Sequence, residues 1–111
     1  MLIRYFILLS LCLSAASAKV SFKNDIRPIL SNNCFRCHGP DEKERKANLR
    51  LDTFEGATKD NEGIRAIVAG NVDDSELIYR ISTDDPEESM PPKKAGEKLT
   101  AQQIELFKQW I

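Results

Sequence analysis

Cys34-Phe35-Arg36-Cys37-His38 is the stretch on which the reading of this chain turns. As C-x-x-C-H it is the attachment signature of a c-type haem. The two thiols add across the two porphyrin vinyl groups as thioethers. The two-residue gap, on about one helical turn, sets the sulfurs at the vinyl spacing. His38 follows directly, so its imidazole can turn under the ring and bind iron from the proximal side. A bare C-x-x-C also fits a redox dithiol or half of a zinc site, so the surroundings have to decide.

Three surrounding features favour haem. His38 is the single histidine of the chain, and beyond the initiator Met90 is the single methionine. The chain also opens with an export signal, and c-type haem is attached outside the cytoplasm. Arg4 supplies the positive start, Tyr5 to Leu13 is a short apolar run, and Ala16-Ser17-Ala18 matches the small-x-small cleavage pattern. The run falls short of the ~20 apolar residues that span a bilayer. Residues 1–18 are therefore expected to leave as a signal peptide, taking Cys12 with them. Residues 19–111 remain as one small exported, periplasmic or extracytoplasmic domain.

That length supports a modest core, to which a large buried macrocycle would add much. Sixteen basic against 17 acidic residues give a formal net charge of −1. No basic excess points to nucleic acid, and no apolar stretch after residue 18 points to a membrane span.

The first helix should lie just before the motif, with Phe22, Ile26, Ile29 and Leu30 on one apolar face. Pro28 allows two starts: an N-cap at Asn24 or Asp25, or a kinked helix from Ser21. Gly39-Pro40 ends regular structure after His38, and Asp41 to Lys46 reads as a solvated loop. Leu49-Arg50-Leu51 alternates, which suits a short extended piece, and both leucines could wall a haem or pack in an ordinary core. Phe54 to Gly63 reads as irregular, and Ile64, Ala66, Ile67 and Val68 as an apolar patch ended by Gly70. Asp73-Asp74-Ser75-Glu76 has the spacing of an acidic helix start, with the helix reaching about Ser82. The segment 83–92 is a polar, proline-punctuated loop. Thr100-x-x-Gln103 is a capping box, and Ile104, Phe107 and Ile111 share one face of the helix it opens. The sequence stops with no helix-ending signal, which suggests that a longer protein continues past it.

A single histidine leaves haem iron with an open sixth position, and no second histidine exists to close it. Met90, far enough along the chain to return on the other porphyrin face, is the candidate. A thioether favours ferrous iron and raises the reduction potential, and Pro91-Pro92 would stiffen its loop. The other reading is a core methionine filling a gap. Trp110 could pack near a haem edge or simply belong to the core, and is assigned no site role.

With these parts placed, the chain resembles class I cytochromes c, and more closely the planctomycete-type cytochrome c domain. The resemblance rests on Phe22-x-x-Asp25-Ile26-Arg27-Pro28-Ile29-Leu30 ahead of Cys34 to Pro40. It continues through Arg45-Lys46-Ala47-Asn48-Leu49-Arg50-Leu51-Asp52, Ser75-Glu76-Leu77-Ile78, Met90-Pro91-Pro92 and Leu99-Thr100. It implies an all-α, class I cytochrome c-like fold with long loops, whose N- and C-terminal helices pack beside the haem. It implies one haem c covalently held by Cys34 and Cys37, with His38 proximal and Met90 distal on the iron.

The function expected is electron transfer by that single haem, iron cycling between Fe(III) and Fe(II), with no enzymatic chemistry from the protein itself. The partner is a redox protein or a fused domain. Such domains usually stand near the N-terminus of large exported proteins, so a haem redox or sensor module serving a downstream enzyme is the alternative. An exported thiol-disulfide oxidoreductase would want its C-x-x-C at a helix N-terminus in a βαβ setting, whereas this pair follows a helix. A zinc site needs four ligands, and no second Cys or His pair offers them.

Overall fold

A computed structural model describes residues 19–111, and the signal expected in residues 1–18 lies outside them. The N-terminal helix takes the earlier of the two starts that Pro28 allowed. Ser21 is its N-cap: its hydroxyl accepts the Asn24 N–H at 3.2 Å, while its own N–H donates to the Asp25 carboxylate at 2.8 Å. The first turn, Phe22–Ile26, is π-helical, with the Arg27 N–H reaching back to the Phe22 carbonyl. It runs into α1, Arg27–Asn33, where Pro28 occupies the first turn. Proline has no N–H to give, and a wide turn directly before it accommodates that missing donor.

One expectation for the middle of the chain is corrected. The segment 54–63 is not wholly irregular, because α2 spans Phe54–Thr58 with Thr53 capping it through the Gly56 N–H at 3.1 Å. Gly56 permits a close approach: a Cβ there would stand 2.6 Å from the Arg50 carbonyl oxygen. No strand occurs among the described residues.

Helix α3 spans Glu76–Ser82, ending where its sequence placed it, but its N-cap is Ser75 rather than an aspartate. Ser75 is only 1% exposed, and its hydroxyl turns inward. It accepts the Val68 N–H at 2.9 Å and donates to the Asn71 carbonyl at 2.8 Å. The free N–H groups at the start of α3 are satisfied by the connector instead, Glu76 donating to the Arg65 carbonyl and Leu77 to that of Ala66. So the apolar patch at residues 64–68 is a backbone partner for α3 as well as a source of core residues.

Helix α4 spans Ala101–Trp110 and opens with the full reciprocal capping box of Thr100 and Gln103. It packs on both the N-terminal helix and α3. Phe107, 1% exposed, is the residue it buries most deeply, in a core shared with Ile26, Leu30 and Ile81. At the crossing of the two outer helices, the rings of Phe22 and Trp110 lie 5.3 Å apart and tilted by 35°, within the centroid spacing that aromatic pairs favour. The N- and C-terminal helices thus pack together, as expected for an all-α chain.

Candidate functional site

The motif grows directly out of α1. The Cys34 N–H closes the last turn on the Leu30 carbonyl at 2.8 Å, and Phe35 shares that acceptor at 3.0 Å. The Cys34 carbonyl then accepts from both Cys37, at 3.2 Å, and His38, at 2.8 Å. Residues 34–38 therefore form one helical turn, which puts both thiols and the imidazole on the same short piece of backbone. Gly39 keeps that turn tight. A Cβ at this position would fall 2.1 Å from the Phe35 carbonyl oxygen, an impossible contact.

A strap of chain, residues 39–51, folds back over the turn. Lys46 donates its N–H to the Cys37 carbonyl at 2.7 Å, and Leu51 donates to the His38 carbonyl at 2.8 Å. Arg45 fastens the strap's near end, its guanidinium donating to the carbonyls of Gly39 at 3.0 Å and Pro40 at 3.2 Å. Ala47 and Asn48 both adopt left-handed backbone, each with φ +52°. That turn brings the Lys46 and Leu49 carbonyls to the side of the imidazole.

The electrostatics of the turn follow from its burial. Cys34 and Cys37 are half-buried free thiols. Burial, reinforced by the neighbouring Cys37, pushes the Cys34 thiol up to about 11. A thiolate nucleophile needs the opposite shift, so the dithiol-oxidoreductase alternative loses ground. Burial also pushes the His38 imidazole below its ordinary value, against the pull of the Lys46 and Leu49 carbonyls. A neutral imidazole is the form that binds a metal.

One atom tests the turn against a haem. His38 Nδ1 is buried and has no hydrogen-bond partner, the one such side-chain atom among the described residues. Buried polar atoms are rarely left so. Imidazole ligands characteristically bind metal through one nitrogen while the other donates to a carbonyl or carboxylate. His38, with two carbonyls on its flank and thiols one turn away, fits an iron ligand of a covalently anchored haem. Among the described residues, no group of three or more His, Cys, Asp or Glu side chains is placed to hold a metal ion.

Met90 lies where its sequence put it, in the loop between α3 and α4. It is half-buried, next to a buried Pro91, and its N–H donates to the Arg80 carbonyl at 2.8 Å. Its fastening is therefore to α3, whereas Cys34, Cys37 and His38 share a turn. Two cavities lie away from these residues. One, of about 330 Å³, opens between Leu30, Leu51, Phe54 and Trp110. The other, of about 540 Å³, lies along residues 83–98. None of the four candidate residues lines either.

Sequence reading missed Arg45, Gly39 as a close-approach residue, and Arg80, which reappears below. The arginines act on main-chain carbonyls, acceptors that every residue carries and that no residue pattern marks. For Gly39 a signal existed in the glycine directly after the histidine, but it reads equally well as a simple stop.

Comparison with known proteins agrees with the turn. The family described as Planctomycete cytochrome C matches residues 34–94, more than half of the chain, beginning at Cys34 itself. No curated protein and no solved structure matches.

Proposed function

The chain belongs to the Planctomycete cytochrome C family, and from that premise we propose that it carries single electrons outside the cytoplasm on one haem c. Membership supports haem-based electron transfer, and that the protein itself adds no enzymatic chemistry is part of the proposal. The finer reading assigns the thioethers to Cys34 and Cys37, the proximal ligand to His38 and the distal ligand to Met90. The observation that carries it is the buried, unpartnered Nδ1 of the only histidine, on the same turn as two unpaired thiols.

Haem, when bound, supplies the one-electron couple of its iron. The chain's own residues do the rest. The 34–38 turn anchors the group and holds the imidazole neutral by burial. The Lys46 and Leu49 carbonyls flank the imidazole without hydrogen-bonding Nδ1. A small turn of the ring would let Nδ1–H donate to one of them while the other ring nitrogen faces the iron, strengthening the imidazole as a ligand. Met90 offers a soft donor that favours the reduced state. Cys34 and Phe35 pack against the core that holds Leu51, Ile78, Ile81 and Phe107, so the anchoring turn has an apolar side, which would disfavour added charge on the iron. No described helix is long and apolar enough to cross a membrane. The export expected from residues 1–18 and a separate or fused redox partner complete the proposal.

The test is expression of the full chain in a host that attaches haem to exported C-x-x-C-H proteins. The expected product is red, carries one haem by mass, gives the pyridine haemochrome spectrum of a doubly thioether-linked haem, and has no titratable thiol. Colourless exported protein with two reactive thiols would overturn the proposal.

A further inference from the structure

We infer that Arg80 is the positioning residue for Met90, holding from one turn of α3 the three residues that lead to its thioether. The inference rests on the reading of Met90 as distal ligand and extends it to a residue outside the coordination set. Two of its hydrogen bonds reach the segment 88–90. The Arg80 carbonyl accepts the Met90 N–H at 2.8 Å. The Arg80 guanidinium donates through Nη1 to the Glu88 carbonyl at 3.3 Å. The same guanidinium is steadied from behind, because its Nε donates to the Glu76 carboxylate, one helical turn earlier, at 3.0 Å. Beside it on the helix, the Tyr79 hydroxyl donates to the Glu88 carboxylate. Residues 88 and 90 are thus tied to two neighbouring residues of a helix whose Leu77, Ile78 and Ile81 are anchored in the core.

The physical consequence concerns a weak bond. A thioether on ferric iron is readily replaced by a harder ligand, so the protein must keep the methionine close without relying on that bond. A loop left free gains conformational entropy whenever it swings away. Fixing the residues on the approach to Met90 removes most of that gain. The closed population then rises, and an external ligand must compete against it. The Pro91-Pro92 pair stiffens the far side of Met90, and Arg80 with Tyr79 secures the near side. The guanidinium of Arg80 is about one-third exposed, so its bonds are not needed to bury the helix. Its work is local to the loop.

The experiment is an imidazole titration of the ferric, haem-loaded full chain, followed by the Soret shift, with urea unfolding of each variant in parallel. Arg80→Ala should bind imidazole on the order of tenfold more tightly than wild type, as expected for losing about one hydrogen bond's worth of closure. Arg80→Lys keeps the charge beside Glu76 and should recover part of the difference. Tyr79→Phe, a milder change, should move affinity in the same direction and decides the matter if Arg80→Ala does not fold. Arg65→Ala removes an equal charge from an exposed pair with Asp60, away from the loop, and should match wild type. Unchanged imidazole affinity in Arg80→Ala and Tyr79→Phe, with Met90→Ala binding far more tightly, would overturn the positioning role alone. An equal gain in Arg65→Ala would overturn it as general loosening. Equal affinity in wild type and Met90→Ala would remove Met90 from the iron and overturn both readings together.

Discussion

His38 and Leu51 are joined through their backbones, the Leu51 N–H donating to the His38 carbonyl at 2.8 Å. This closes the strap on the residue proposed as the proximal iron ligand. Because the bond uses the main chain of His38, it leaves the imidazole free. Leu51 is itself 5% exposed and part of the core, so the strap's far end is held by apolar burial as well. His38 is thereby tied to the body of the protein through its main chain.

Gly39→Ala should disrupt this arrangement. The added methyl would collide with the Phe35 carbonyl, and backbone has no easy way to yield. A cost of about 1–3 kcal/mol is expected, together with a sharp fall in the fraction of exported protein that carries haem. Haemochrome absorbance per mole of protein measures the second effect, and urea unfolding of the surviving holoprotein the first.

Met90→Ala should lower the reduction potential and open the sixth position to carbon monoxide in the ferrous state. Potentiometric titration and carbon monoxide difference spectra check both consequences. An unchanged potential with no new ligand binding would leave Met90 as a core residue.

Stability should fall in acid through a definite carboxylate. Arg50 grips Asp52 with two hydrogen bonds, at 3.0 and 2.7 Å, and the Asp52 side chain is 16% exposed. The Arg50 hydrogen bond holds the Asp52 carboxyl below its ordinary value. Folding is therefore favoured when Asp52 is ionised. That contribution is complete above the ordinary carboxylate range and is lost as pH falls through the depressed value in the folded protein. In Asp52→Asn, the drop in urea midpoint between pH 7 and roughly pH 3 should be smaller than in wild type.

Ser75→Ala should cost about 1–3 kcal/mol, more than a typical surface cap. The hydroxyl is buried, and its loss leaves the Val68 N–H and the Asn71 carbonyl without their partner. The loss should appear in the urea midpoint and leave the haemochrome spectrum unaltered, since Ser75 lies outside the 34–51 region. A Ser75→Ala protein as stable as wild type would mean that the connector finds other partners.

Local patterns carried much of what was legible in the sequence. The motif turn is specified by five consecutive residues, the α4 start by a four-residue capping box, and the Met90 loop by its prolines. The all-α character followed from helical periodicity and the lack of alternating runs. What escaped depends on residues distant in sequence. The Gly56 backbone lies against Arg50, and Ser75 is claimed by Val68 and Asn71 instead of by its own helix. The start at Ser21 was one of two allowed by Pro28, and the choice rests on the reciprocal bond from Ser21 to Asp25.

Trp110 is the only tryptophan of the chain, and it meets Phe22 where the first and last described helices cross. All indole fluorescence therefore originates at the junction of the two ends of the domain. Emission reports when those ends separate, whereas visible absorbance reports when iron loses its ligands. Coincident denaturation midpoints for the two signals would mark a single cooperative unit, and an earlier fluorescence change would mean that the termini peel away while the metal centre is still intact.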